Sequence, residues 1–147
     1  MSLMQDFEYT LRIYWEDTDA GGIVYYANYL KFFERARTEW LRALDIHQQK
    51  MREDDHVLLV VSEVHAKYLR SARLDDELVI TTQTRHIGRA SVTLQQKAFR
   101  KNASGEPFSK PAPELLCEAE VKIGCIHAAT MAPSRFPSTL ATALTAV

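Results

Sequence analysis

The period of the hydrophobic pattern changes along the chain, and each change marks a predicted element. Residues 7–15 ("FEYTLRIYW") alternate and are rich in aromatic and β-branched side chains, which predicts a first strand ending near Trp15. From about Tyr26 to Leu44 the apolar positions recur every three to four residues, which predicts the one long helix. A shorter and more polar helix is expected over residues 45–54.

The apolar stripe of the long helix contains one charge. On a helical wheel the stripe consists of Tyr26, Tyr29, Leu30, Phe33, Trp40, Leu41 and Leu44. Arg37 falls inside it, and a charge on a buried face is unfavourable unless it is paired. Glu34 lies three residues earlier, within reach on the neighbouring ridge. We therefore expect a Glu34–Arg37 pair, or a partner for Arg37 from another chain.

After residue 56 the period becomes two and stays so. Strands are expected over residues 56–69, 76–88 and 90–101, the last two forming a hairpin across Gly88-Arg89. A loop rich in turn residues follows over 101–113, then a strand over 114–128. In that strand Cys117, Ala119, Val121, Ile123 and Cys125 point inward, and Glu118, Glu120 and Lys122 point outward. The tail after Thr130 could end in a short helix.

This order of elements favours an α+β fold in which one long central helix is wrapped by a curved antiparallel sheet of about five strands. With 147 residues the chain is expected to form a single domain over 1–147, with a peripheral C-terminal tail over 132–147. The open edges of such a sheet are commonly covered by dimer formation.

Composition and charge exclude several classes of protein. The net charge is −1, from 18 basic and 19 acidic side chains, which argues against a nucleic-acid binder. We see no signal peptide and no membrane span, so a cytoplasmic location is expected. Cys117 and Cys125 lie roughly 26 Å apart along one strand, too far for a disulfide, and are expected to be buried thiols. None of the five histidines has a second ligand at metal spacing, so no metal site is predicted.

The stretch "DTDAGG", residues 17–22, carries the candidate chemistry. It resembles the start of a calcium loop, but the fifth position is Gly21 and the twelfth is Asn28, so the ligand count fails. Asp17, Asp19 and the glycines could simply close a strand and cap a helix, which is the commoner use of such residues.

A third interpretation has definite chemical content. The N–H groups at a helix N-terminus can hold the oxygen of a polarised carbonyl, and Gly21 and Gly22 let backbone approach a ligand closely. A carboxylate just upstream can act as nucleophile or as general base for water. Because no Ser-His-Asp signature accompanies it, the substrate should be an activated carbonyl such as a thioester.

Two stretches, "YWEDTDAGGIVYYANYLKFFERARTEWLR" and "ARLDDELVI", resemble the hotdog-fold acyl-CoA thioesterases of the 4-hydroxybenzoyl-CoA thioesterase type, closest to the bacterial Tol-Pal system-associated branch. The resemblance covers almost the whole chain. It implies that Asp19 is the catalytic carboxylate, that the backbone N–H of Tyr26 polarises the thioester carbonyl, and that Asp17 is structural. Gly21, Gly22 and Asn28 would shape the substrate-binding turn.

The resemblance also implies acyl-CoA as substrate, no further cofactor, and a homo-oligomer, either dimer or homotetramer, with sites at subunit interfaces. Two departures stand out. The closest branch often has a histidine where this chain has Tyr26, and the hairpin "HIGRAS" keeps only Arg89 for the nucleotide phosphates. Phosphate contact by Arg89, a solvated hairpin arginine, and an acyl-carrier-protein substrate all stay open.

Two rival functions remain. One is a non-catalytic module that binds acyl-CoA or acyl carrier protein within the envelope-associated Tol-Pal machinery. The other is a hotdog dehydratase or hydratase, which would need a His–acid pair at the site, but no histidine lies in the helix-start motif. The acyl group is also open, because Tyr14, Tyr25, Phe32 and Trp40 could line an acyl pocket or belong to the core.

Overall fold

A computed structural model describes residues 7–101 and 113–145. The strands are β1 (Phe7–Arg12), β2 (Val57–Tyr68), β3 (Glu77–Ile87), β4 (Ser91–Arg100) and β5 (Glu114–His127), and the α-helices are α1 (Asn28–Ala43), α2 (Gln48–Asp55) and α3 (Ser138–Thr145). Most of the loop expected over residues 101–113 lies outside the described residues.

The five strands form one antiparallel sheet in the order β1-β3-β4-β5-β2. The predicted hairpin joins β3 to β4 at Gly88, whose N–H donates to the carbonyl oxygen of Ser91 at 2.7 Å. The expected arrangement of one long helix against an antiparallel sheet of five strands is confirmed. β1 and β2 form the two edges of this sheet among the described strands.

The core lies between α1 and the inner face of the sheet. The predicted alternation in β5 is confirmed, since its five inward residues are all buried. The buried face of α1 differs from the predicted stripe and consists of Tyr29, Phe32, Phe33, Ala36, Trp40 and Leu41. Tyr26 and Leu30 are 59% and 40% exposed. Because α1 begins only at Asn28, Tyr26 lies outside the helix, and the buried face is rotated towards Phe32 and Ala36.

The first strand ends at Arg12 and not near Trp15. The Tyr14 N–H donates to Oδ2 of Asp17 at 2.8 Å, and the Asp17 N–H donates to the Tyr14 oxygen at 3.0 Å. These two bonds close a short 3-10 turn over Trp15–Asp17. The turn leaves the large side chains of Tyr14 and Trp15 exposed and directs the chain towards α1.

Arg37 has a partner that the sequence pattern did not indicate. Its Nη1 donates to Oε1 of Gln96 at 3.0 Å, and no ion pair among the described residues includes it. Burial lowers the pKa of Arg37, and the charge of Glu34 opposes that shift. Gln96 is fully buried and in turn donates to the Phe33 oxygen at 3.0 Å and to Oγ1 of Thr82 at 2.9 Å. This polar network ties α1 to β3 and β4 inside the core.

The two cysteines are buried and unpaired, as predicted. Burial raises the pKa of the Cys117 thiol to about 12, with a smaller contribution from the charge of Glu118. Over the described ranges, none of the helices combines the length and the apolar character needed to cross a membrane.

Candidate active site

The segment between β1 and α1 folds into a small hairpin that presents Asp19. Thr18 and Val24 form an antiparallel bridge, and the Asp19 N–H donates to the Ile23 oxygen at 2.9 Å. The turn closes when the Gly22 N–H donates to the Asp19 oxygen at 3.0 Å. Gly22 has φ of +79°, a left-handed conformation that favours glycine. The D-x-D-x-G-G stretch therefore does form a tight turn.

The carboxylate of Asp19 is exposed at the turn and is held on one side only. Its Oδ1 accepts a hydrogen bond from the Gly21 N–H at 2.8 Å, the one such bond it accepts within residues 7–101 and 113–145. A Cβ at position 21 would lie 3.2 Å from the same Oδ1. The turn thus fixes the orientation of the carboxylate while leaving Oδ2 open to a substrate or to water.

Asp17 has a different environment, because both its side chain and its backbone oxygen are engaged within the chain. Its carboxylate accepts the Tyr14 N–H, as described above. Its backbone oxygen accepts from the Tyr25 N–H at 3.0 Å and from Nδ2 of Asn28 at 2.9 Å. Asn28 is the first residue of α1, so this bond joins the helix start to the loop that carries Asp19. Asp17 and Asn28 therefore hold the loop and the start of α1 together through hydrogen bonds within the chain.

Tyr26 lies in the turn that leads into α1. The Asn28 N–H donates to the Tyr25 oxygen at 2.8 Å and the Tyr29 N–H to the Tyr26 oxygen at 3.3 Å. In the part of the chain that the structure describes, neither the Tyr26 nor the Ala27 N–H has an acceptor. Such orphan donors at a helix N-terminus, together with the helix dipole, favour a partial negative charge on a ligand.

An aromatic cluster flanks these donors. The ring of Tyr68, at the end of β2, lies edge-on to the ring of Tyr26, with 5.5 Å between the two centroids. The centroid of the Tyr68 ring is 5.9 Å from that of Tyr29. The hydroxyl of Tyr29 accepts from the Ala72 N–H at 3.1 Å, and the Ala72 oxygen accepts from the Val24 N–H at 2.8 Å. The segment around Ala72 therefore supports both the helix start and the Asp19 hairpin.

Sequence reasoning did not identify this supporting segment as part of the site. Arg100 holds it in place: Nη2 donates to the Ser71 oxygen at 3.0 Å, and Nη1 pairs with Asp76. The only available signal was the stretch "ARLDDELVI", which contributed to the family resemblance. Nothing in the spacing of Tyr68 indicates that its ring approaches Tyr29 of α1, or that Arg100 holds the segment before β3.

Arg89 does not join Asp19 within one chain. The Asp19 hairpin lies at the end of the sheet where Arg12 pairs with Glu77, the first residue of β3. Arg89 follows the last residue of β3, Ile87, after ten residue steps or roughly 33 Å of strand. There its backbone oxygen accepts from the Phe136 N–H at 2.9 Å. Gly21 and Gly22 donate hydrogen bonds to Asp19, and Asn28 is joined to the same loop through Asp17, whereas Arg89 lies at the opposite end of the sheet.

A single long helix packed on a five-stranded antiparallel sheet is the architecture of the hotdog-fold thioesterases. The chain belongs to the thioesterase-like superfamily, whose family model matches residues 13–144. The predicted fold class and the resemblance drawn from the two sequence stretches are therefore confirmed.

Individual relatives agree with this assignment. The acyl-CoA thioesterase YbgC of Haemophilus influenzae is 38% identical over 131 residues, which cover 89% of this chain and 88% of that protein. A probable thioesterase from Bartonella henselae superposes with a TM-score of 0.79 at 27% identity, covering 90% of this chain and all of the other. The structure of a 4-hydroxybenzoyl-CoA thioesterase variant complexed with 4-hydroxybenzoyl-CoA superposes with a TM-score of 0.83 at 17% identity, covering 94% and 97%. That last likeness concerns the fold alone.

Proposed function

We propose that this chain hydrolyses acyl-CoA thioesters to a carboxylic acid and free CoA, with Asp19 as the catalytic carboxylate. The observation that carries the proposal is the exposed Asp19 carboxylate, oriented by the Gly21 N–H, in the hairpin that leads to two orphan N–H groups at the start of α1. The name of the Haemophilus influenzae relative, an acyl-CoA thioesterase, supports the choice of substrate.

The two halves of the site have separate tasks. The thioester oxygen accepts a hydrogen bond from the Tyr26 N–H, which stabilises the negative charge that develops on it in the transition state. In one route an oxygen of Asp19 attacks the carbonyl carbon, the C–S bond breaks, CoA leaves as thiolate, and water hydrolyses the resulting anhydride. In the other route Asp19 takes a proton from water, the hydroxide attacks, and the proton passes to the departing sulfur.

A single turnover in ¹⁸O-labelled water tests for the nucleophilic route. Label in Asp19, with an unlabelled aspartate oxygen in the acid, indicates an anhydride that water attacks at the Asp19 carbonyl. Label in the acid alone results from the general-base route and also from an anhydride attacked at its acyl carbonyl, and capture of the acyl-enzyme by hydroxylamine distinguishes these two. Neither route needs a cofactor, because CoA enters as part of the substrate.

The complete site would need a second copy of the chain, which is our reason for proposing a homodimer. Among the described strands β2 forms an edge whose outer backbone groups have no strand partner, and it exposes 46% of Val61 and 37% of Val64. A two-fold axis perpendicular to the sheet would pair β2 antiparallel with its copy. That pairing brings the Arg89 end of one copy to the Asp19 end of the other, where Arg89 can bind a CoA phosphate. A homotetramer remains a prediction.

We also propose a cytoplasmic location. Two buried, unpaired cysteines fit a reducing compartment. Acyl carrier protein remains a second thioester donor to be tested, because one copy brings no basic side chain of the β3–β4 hairpin to Asp19.

The proposal is tested by incubating the purified chain with a panel of short, long and aromatic acyl-CoAs and measuring free CoA and free acid together. Equal amounts of both products are expected from at least one substrate. The Asp19→Asn variant should bind that substrate and produce neither. Binding without turnover in the unaltered chain would contradict hydrolysis and favour the non-catalytic acyl-CoA or acyl-carrier module.

A further inference from the structure

The segment between β2 and β3 adds a third extended stretch of chain to the Asp19 hairpin. Within the hairpin, the Asp19 N–H donates to the Ile23 oxygen at 2.9 Å. On its other side Ile23 forms an antiparallel bridge with Arg73, and the neighbouring Val24 N–H donates to the Ala72 oxygen at 2.8 Å. Asp19, Ile23 and Arg73 therefore occupy opposed positions across three adjacent stretches of backbone.

These three residues share the outer face of that small ribbon. Side chains at opposed positions of paired strands point to the same side, and the next residue along each strand points to the other side. Val24 and Ala72 point to the inner side, where they are 3% and 0% exposed, whereas Asp19 and Arg73 are exposed. Because adjacent strands lie roughly 4.8 Å apart, roughly 10 Å separates the Cα atoms of Asp19 and Arg73.

The guanidinium of Arg73 is available to a ligand, although its backbone is fixed. The Arg73 N–H donates to Oδ2 of Asp76 at 2.8 Å, and the Asp76 N–H donates to the Arg73 oxygen at 3.1 Å. Among residues 7–101 and 113–145, no ion pair includes the guanidinium itself. Three other arginines at this end of the sheet each pair with a carboxylate: Arg12, Arg70 and Arg100. Arg73 thus extends an uncompensated positive charge from a rigid turn beside the site.

The separation between Asp19 and Arg73 matches one part of an acyl-CoA. In a pantetheine thioester about thirteen bonds join the sulfur to the first phosphorus, which equals four to five residues of extended peptide or roughly 15 Å. An extended arginine side chain adds roughly 6 Å to the 10 Å between the two Cα atoms. The guanidinium therefore reaches the first phosphate when the thioester lies at Asp19 and the pantetheine arm crosses Ile23.

We infer that Arg73 binds the phosphate at the end of the pantetheine arm, in the same chain as the Asp19 that acts on the thioester. The inference rests on the proposed function and adds a substrate-binding residue to it. A guanidinium can hold a phosphate through two parallel N–H···O bonds. The 3′-phosphate of CoA lies further from the thioester and is left to Arg89 of the second copy in the proposed homodimer.

A series of thioesters with one acyl group locates the contact. Acyl-CoA, acyl-dephospho-CoA, acyl-4′-phosphopantetheine and acyl-pantetheine differ by successive loss of the 3′-phosphate, the adenylate and the last phosphate. Arg73→Gln should lower kcat/KM about tenfold for the first three, the effect of one charge-assisted hydrogen bond. It should leave kcat/KM for acyl-pantetheine unchanged. Arg70→Gln removes an exposed arginine that pairs with Glu114, and this matched control should affect none of the four.

The same series contains the results that would overturn the inference. An equal loss on acyl-pantetheine would show that Arg73 supports the fold of the site and does not contact phosphate. A loss confined to acyl-CoA would assign Arg73 to the 3′-phosphate. Equal losses in Arg70→Gln and Arg73→Gln would reduce the effect to the net charge of this surface.

Competition against acyl-CoA gives the comparison without turnover of the truncated thioesters. The inhibition constant of 4′-phosphopantetheine should rise about tenfold in Arg73→Gln, and that of pantetheine should not change. Unchanged constants for both compounds would overturn the inference.

Failure of the phosphate contact is distinguishable from failure of the proposed function. Hydrolysis of acyl-CoA with equal kcat/KM in the unaltered chain and in Arg73→Gln would overturn the contact and leave catalysis at Asp19 intact. Absence of hydrolysis in the unaltered chain would instead contradict the proposed function.

Discussion

Nδ2 of Asn28 donates a hydrogen bond to the backbone oxygen of Asp17 at 2.9 Å, and this contact joins the first residue of α1 to the loop that carries Asp19. Two features of the proposed mechanism depend on that junction. The carboxylate is fixed by the loop, and the orphan N–H groups are fixed by the helix. Their relative position follows from how the two are joined.

Removing this bond should impair catalysis more than folding. Asn28→Ala should lower kcat/KM about tenfold or more, because Tyr26 and Asp19 can then drift apart. The free energy of unfolding should fall by only about 1 kcal/mol, the usual contribution of one hydrogen bond. Steady-state kinetics and urea denaturation measure the two effects. Gln49→Ala removes an exposed side-chain amide from α2 and is the control; equal losses in both variants would contradict a role for the junction.

The two glycines of the turn should respond differently to alanine. At Gly22 a Cβ meets no atom within 4 Å, but φ of +79° is unfavourable, so Gly22→Ala should cost about 1–2 kcal/mol of stability. Gly22→Asn should recover part of it, since asparagine tolerates that conformation. Gly21→Ala places a Cβ 3.2 Å from Oδ1 of Asp19 and should reduce kcat with little loss of stability. Thermal unfolding beside steady-state kinetics distinguishes the two, and the reverse pattern would count against the described turn.

The buried network around Gln96 should behave as a unit. Gln96→Leu leaves the Arg37 guanidinium, the Thr82 hydroxyl and the Phe33 oxygen without this partner, at a cost of about 3 kcal/mol or more. Arg37→Met removes the charge that most needs the partner. The double variant should therefore be more stable than the sum of the single losses predicts, by about 1–3 kcal/mol. Additive losses in denaturant titrations would show that the two residues act independently.

Stability should decline at alkaline pH partly because of Cys117. Burial raises the pKa of its thiol from 9.0 to about 12, so the folded chain binds this proton more tightly than the unfolded chain. The resulting stabilisation is complete below about pH 9 and is lost as the pH rises through about 12. Cys117→Val should flatten this part of the profile, although Cys125 and Tyr29, whose pKa values are also raised by burial, still contribute. A slope unchanged by the substitution in chemical denaturation from pH 8 to 11 would contradict the assignment.

The sequence was sufficient where a pattern repeats regularly. The alternation in β5 can bury its apolar side chains in only one way, and the turn residues between β3 and β4 favour a hairpin. The strand and the hairpin were therefore both predicted to within one residue of their observed ends. The start of α1 was predicted two residues too early, because Tyr26 continues the apolar stripe. The backbone of Tyr26 instead belongs to a turn before the helix. In that turn the Tyr25 N–H donates to the Asp17 oxygen and the Asn28 N–H donates to the Tyr25 oxygen, and these hydrogen bonds determine that α1 begins at Asn28.

Contacts between distant residues were not accessible from the pattern. Gln96 lies 59 residues from Arg37 and has an ordinary polar side chain, so its burial beside α1 depends on the register between β3 and β4. For Arg89, the resemblance left open whether the side chain contacts the CoA phosphates. The length of β3 separates Arg89 from Asp19 of the same chain. In the proposed homodimer, Arg89 of one copy would lie at the Asp19 end of the other.

The most direct measurement is kcat/KM for release of CoA by Asp19→Asn and by Asp17→Asn, both compared with the unaltered chain on its best acyl-CoA. The substitutions are chemically identical and lie two residues apart in one loop, but the oxygen of an asparagine at position 17 can still accept the Tyr14 N–H. Catalysis by Asp19 predicts a loss of about a thousandfold or more at position 19 and only a few-fold at position 17. Comparable losses, or an active Asp19→Asn variant, would contradict catalysis by Asp19.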